Sequence, residues 1–118
     1  MTLVDTSVWV AHLRTGNDRL AELLRAGQVL SHPFVIGELA CGNLRNRHEI
    51  LALLAVLPRV SVADHGEVMT LLESSRLFGQ GLGWVDIHLL ASTLLSRCTL
   101  WTLDRPLQRA AAALKVAV

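Results

Sequence analysis

Short apolar runs alternate with helix-patterned stretches along the whole 118-residue chain, and that alternation leaves few folds open. Thr2-Leu3-Val4 is the first run, and it stops at Asp5. Gln28 to Ser31, Val60 to Ala63, Thr99 to Leu103 and Lys115 to Val118 repeat the pattern. Helical spacing fills the gaps. Val8 to Leu13 follows a Thr6 or Ser7 cap, and Asn17 caps Asp18 to Ala26. Pro33 opens a region reaching about Leu57, broken near Gly42-Asn43 and stopped by Pro58. Asp64 and Glu67 have capping-box spacing for a helix to about Phe78. Trp84 to Arg97 and Pro106 to about Leu114 complete the set. Short, mainly apolar strands suit a parallel sheet buried on both faces, and parallel strands need helical crossovers. The expectation is an α/β fold: one three-layer α/β/α domain over residues 1–118, with a parallel sheet of four or five strands.

Composition narrows the function classes. Apolar residues make up 52% and charged residues 18%, against ~45–50% and ~25% in ordinary globular domains. This excludes a disordered or low-complexity chain. The apolar excess, with a mean hydropathy of +0.43, points to a surface covered by a partner, and hence to a homodimer. The leucine-rich stretches Asp18 to Ala26 and Ile50 to Leu57 are the candidate partner surfaces. A net charge of +1 lacks the basic footprint of a dedicated nucleic-acid binder. Any such contact must come from a local patch, and ten of the eleven basic side chains are arginines, suited to phosphate. Cys41 and Cys98 have no metal spacing and read as buried free thiols in a reducing compartment. There is no basic leader, and the longest apolar run, Ile50 to Leu57, is far below the ~18–20 residues of a membrane span. The expected location is the cytoplasm.

Four of the ten acids sit in awkward places. Asp5 and Asp104 end strands, while Glu38 and Asp86 lie in apolar surroundings near helix starts. Each has a bland explanation. Asp5 and Asp104 fit helix N-caps, Asp86 complements a helix dipole, and a solvated groove would accommodate Glu38. Their shared position favours another account. In open parallel α/β sheets, ligands bind beyond the carboxyl ends of the strands. Four carboxylates gathered there repel one another, and a hard divalent cation such as Mg²⁺ or Mn²⁺ relieves the repulsion.

The motifs Val4-Asp5-Thr6-Ser7-Val8-Trp9, Gly37-Glu38-Leu39, Trp84-Val85-Asp86 and Leu103-Asp104 resemble the acidic motifs of the PIN domain. The nearest resemblance is to VapC-type toxins of type II toxin–antitoxin pairs, and it spans the chain in order and spacing. It implies a Mg²⁺- or Mn²⁺-dependent endoribonuclease, usually dimeric and restrained by a cognate VapB-type antitoxin. Asp5, Glu38, Asp86 and Asp104 match the family's four acidic, metal-binding positions, and Thr6 and Ser7 its hydroxyls near the metal. One or two ions remain open. The chain is short for the family, which implies an abbreviated last strand. A catalytically inactive PIN-like module that binds RNA or protein is the alternative.

Other features carry less. His12, His32, His48, His65 and His88 show no paired metal spacing and read as ordinary surface or core residues. Arg14, Arg45, Arg47 and Arg105 are candidate RNA-backbone contacts, and Arg109 is similar. Gly79, Gly81 and Gly83 follow a helix, so they form no nucleotide-binding fingerprint. Trp9, Trp84 and Trp101 read as core, with Trp9 or Trp84 able to stack a base at the site mouth. A receiver domain needs a lysine near the acids, but the only one is Lys115. A dehalogenase-type phosphatase needs Asp-x-Asp, but Asp5 is followed by Thr6-Ser7. An adhesion-type metal site needs a second serine where Trp9 stands.

Overall fold

The computed structural model describes Met1 to Val118. In chain order the elements are β1 (Thr2–Val4), α1 (Thr6–Thr15), α2 (Asp18–Arg25), β2 (Val29–Leu30), α3 (Pro33–Cys41), α4 (Arg47–Ala55), α5 (His65–Ser74), α6 (Trp84–Ser96), β3 (Thr99–Trp101) and α7 (Arg105–Ala113). The strands form a fully parallel sheet in the order β2-β1-β3. Leu3 lies beside Leu30 and Leu100, and Val4 beside Trp101. Neighbouring strand side chains point to opposite faces. Leu3 and Val4 are both completely buried, so both faces of the sheet are covered.

Local chemistry sets most helix ends. Asn17 accepts the Leu20 N–H at 2.9 Å, and Pro33 is the first residue of α3. Asp64 and Glu67 close a reciprocal box with bonds of 2.8 and 3.0 Å. α5 stops at Ser74, short of the expected Phe78. Arg76 turns left-handed (φ 50°) and the Leu77 N–H closes back on the Leu72 carbonyl at 3.0 Å. α6 is the central helix; Ile87 through Thr93 are all buried, and it packs against α5 and β3.

The sheet is smaller than the expected four or five strands. Val60 to Ala63 forms no strand. Arg59 makes a single bridge to Ser31, and the chain then turns its donors to α6. The Ser61 N–H bonds the Ser96 hydroxyl at 2.8 Å and the Ala63 N–H bonds that of Ser92 at 3.0 Å. Lys115 to Val118 is likewise reduced to one bridge, Leu100 to Ala117. The end of α7 has already taken the Lys115 and Val116 N–H groups, bonded to the Ala112 and Ala111 carbonyls.

Two burial expectations also change. Cys98 is buried, and burial pushes its thiol up, but Cys41 at the end of α3 is exposed. Trp9 is buried and Trp101 half-buried, whereas Trp84 is exposed. No helix is long and apolar enough to cross a membrane.

Candidate functional site

Asp5 follows β1 directly, and the sheet holds it in place: its N–H donates to the Trp101 carbonyl at 2.9 Å. Its carboxylate does not cap α1. Instead Oδ2 accepts the hydroxyls of Ser7 (2.8 Å) and Thr102 (2.7 Å). Each hydroxyl is fixed in turn by a backbone donor. Ser7 Oγ accepts the Leu103 N–H and Thr102 Oγ1 accepts the Asp104 N–H, both at 3.0 Å. The turn after β1 is thus laced to the turn after β3, and the buried Asp5 has little freedom.

The other acids are held more lightly. Glu38 on α3 is exposed rather than buried among its apolar neighbours, and its Oε1 accepts the Thr6 hydroxyl at 2.7 Å. Asp86 in the first turn of α6 is half-buried, and its Oδ2 accepts the Gly83 N–H at 2.9 Å. Asp104 does cap α7, accepting the Leu107 N–H at 3.1 Å. In every case one carboxylate oxygen is held by the protein and the other is left free.

Electrostatics ties the four together. Burial raises the Asp86 carboxyl above its ordinary range, the Gly83 hydrogen bond partly offsets this, and the charges of Asp104, Asp5 and Glu38 push it further up. No cationic side chain figures among these influences. An all-oxygen set with mutual repulsion fits a hard divalent cation. No three His, Cys, Asp or Glu side chains close on one point as a ready-made cage. Mg²⁺ does not require one, because it keeps several waters and takes one or two carboxylates directly.

Residues 2–113 match the PIN domain family. The chain belongs to that family. This PIN domain is 47% identical, over 119 aligned positions, to Ribonuclease VapC32 of Mycobacterium tuberculosis, from both the CDC 1551 / Oshkosh and the ATCC 25618 / H37Rv strains. The alignment covers all of this chain and 96% of that protein, which places the PIN domain among the VapC ribonucleases.

Around its acidic edge the PIN domain sorts the remaining candidates. Thr6 and Ser7 both reach the site, bonded to Glu38 and Asp5. Arg14 and Arg45 line one cleft of about 460 Å³ with Asn43 and Asn46. Arg47 lies outside it; its Nε and Nη2 donate to the Ala40 carbonyl at 3.1 and 2.8 Å, tying α4 to the end of α3. Arg105 is the exposed first residue of α7, directly after Asp104, and Arg109 is exposed one turn later. Thr102 is the residue that sequence reasoning missed. Its signal was a polar side chain in an apolar strand run two residues before Asp104, and the structure buries it against Asp5.

Proposed function

We propose that this chain is a Mg²⁺- or Mn²⁺-dependent endoribonuclease that hydrolyses RNA phosphodiester bonds as the toxin of a toxin–antitoxin pair. The feature that carries the proposal is the gathering of four carboxylates at one sheet edge, each with one oxygen held by the protein and one left free. Asp5, Glu38 and Asp86 are the best-placed groups to hold a cation. When bound, the ion supplies Lewis acidity and lowers the pKa of its water to within reach of neutral pH. The chain's own work is positional. Ser7 and Thr102 hold one Asp5 oxygen so that the other faces the site in a fixed direction. Thr6 does the same for Glu38, and the Gly83 N–H for Asp86. Asp104, anchored on α7, is set to orient water or hold a second ion. Arg14 and Arg45 offer phosphate-binding charge in their cleft.

The partner assignment rests on a separate surface. Trp9, Leu13, Leu24, Ile50, Leu53 and Leu57, from α1, α2 and the α4 region, line an apolar cleft of about 330 Å³. It joins the two leucine-rich segments and suits an apolar segment of a VapB-type antitoxin. Crosslinking of a toxin–antitoxin complex should map to this cleft, and a map that avoids it would remove the assignment. The protein is proposed to be a cytoplasmic homodimer, and a monomer by light scattering at high micromolar concentration would contradict that.

The deciding experiment is cleavage of end-labelled total RNA by purified protein with Mg²⁺, Mn²⁺ or a chelator. Asp5→Asn and Asp86→Asn, purified in parallel, control for contaminating nuclease. Metal-dependent cuts absent from both variants support the proposal. Cutting that persists in the variants, or no cutting and no metal binding by the parent, leaves the inactive binding module as the better account.

A further inference from the structure

Two large aromatic side chains stand exposed beside the acids. Phe34 is 38% exposed and lies one helical turn before Glu38 on α3. Trp84 is 40% exposed and opens α6 two residues before Asp86. Neither ring is isolated. His88 sits against both, its centroid 4.6 Å from Phe34 and 4.9 Å from Trp84. His32 packs 5.1 Å from Phe34, and His65 5.3 Å from Trp84. The five rings form one continuous bed, tilted or perpendicular to their neighbours, and such packing fixes ring orientation.

The bed is not ordinary core filling. His32 and His88 are more than nine-tenths buried, and His32 Nε2 and His88 Nδ1 have no hydrogen-bond partner. A phenyl ring would fill such space without burying an unpaired nitrogen. Phe34 and Trp84 nevertheless stay partly exposed instead of closing under other elements.

Charge argues for the occupant. The adjoining edge carries four carboxylates, which alone repel a phosphate backbone and need a cation before they can accept one. A cation there would hold a phosphate but would leave the neighbouring base without a contact. Base–aromatic stacking supplies that contact and tolerates any sequence, because every base has a π-face. Only unpaired nucleotides can splay a base onto such a surface. We infer that Trp84, steadied by His65 and His88, is the stacking surface for an unpaired RNA base next to the phosphate held at the acids. This rests on the nuclease reading above and names a residue that would hold the substrate beside the scissile bond.

The test separates binding from cleavage. A fluorescent single-stranded RNA hexamer is titrated into Asp5→Asn protein, which cannot cut it, and anisotropy is compared with Asp5→Asn carrying Trp84→Ala or Trp84→Phe. Steady-state cleavage is measured with the same Trp84 changes in the wild-type background. Trp84→Ala is expected to weaken binding at least tenfold and raise KM by a similar factor, with kcat within about threefold. Trp84→Phe keeps a ring and should recover most of the loss. If Trp84→Ala binds as tightly as its parent while the wild-type protein cleaves RNA, the stacking surface is wrong and the nuclease reading stands. If the parent binds the hexamer, Trp84→Ala abolishes that binding, and no RNA is cleaved, the surface stands and the nuclease reading falls. A Trp84→Phe loss equal to that of Trp84→Ala, in protein with unchanged melting temperature, would also overturn the stacking role.

Discussion

The acidic edge and the ring bed beside it treat buried polarity in opposite ways. At the edge, each carboxylate has one oxygen held by the protein and one left free. In the bed, two imidazole nitrogens are closed off without a partner. Burial raises the Asp86 carboxyl and lowers His32 to about 4, so both groups lean toward neutrality. What differs is what can complete them. A cation can reach a free carboxylate oxygen, but nothing reaches a sealed nitrogen. The edge can therefore be completed by a cation, whereas burial holds His32 and His88 toward the neutral form.

The largest expected effect strikes the edge. Asp5→Asn keeps an acceptor for Ser7 and Thr102 but removes the charge, so cleavage should fall by on the order of a thousandfold with little loss of stability. Comparable cutting by variant and wild type, in matched assays, would break the contrast at its strongest point.

The bed should respond to acid instead. His32 titrates near 6.5 unfolded and about 4 folded, because burial first, and then the neighbouring His88, oppose its charge. Above pH 6.5 both states hold neutral imidazole, and the stability is fully present. As pH falls, the unfolded chain takes up a proton that the folded one refuses, and up to roughly 3 kcal/mol is lost by about pH 4. Urea midpoints from pH 7 to 4 should show this slope. His32→Asn, which can still cap α3 at the Phe34 N–H, should flatten it. Equal slopes in the two proteins would show that His32 is not the group responsible.

A smaller effect tests the lacing between the turns. Thr102→Val removes a hydroxyl that donates to Asp5 and accepts from the Asp104 N–H. It should cost about 1–3 kcal/mol, because the site is buried. It should also lower kcat more than it raises KM. Unchanged thermal unfolding would mean that the two turns are not held by this residue.

The smallest effect is a gain. The raised Asp86 carboxyl means that its ionisation works against the fold at neutral pH, although the Gly83 bond offsets part of this. Asp86→Asn should therefore melt higher than wild type in chelator, and Mg²⁺ should stabilise only the wild type. A lower melting temperature for the metal-free variant would reverse the sign assigned to this group.

Much of the candidate site was legible in the chain because its signals are local. A carboxylate after an apolar strand run, as at Asp5 and Asp104, marks the ligand-binding edge without reference to anything distant. Asn17, Pro33 and the Asp64–Glu67 pair announce helix starts because a cap is satisfied within three residues. Thr102 and Trp84 were harder. A threonine in a strand is commonplace, and a tryptophan among apolar neighbours reads as core until its exposure is known.

The sequence by itself determined the parallel α/β class, the order of the helices and the four acids at one edge. Hydrophobic period, caps and strand ends are all written within a few residues of where they act. Only the tertiary structure decided which distant partner each polar group would take. Ser61 and Ala63 gave their N–H groups to α6, and the end of α7 kept those of Lys115 and Val116, so the sheet stopped at three strands. The same long-range choices closed Thr102 onto Asp5 and left Trp84 in the open. A backbone donor bonds to whichever acceptor the packing brings within reach, and that cannot be read from its own neighbours in the chain.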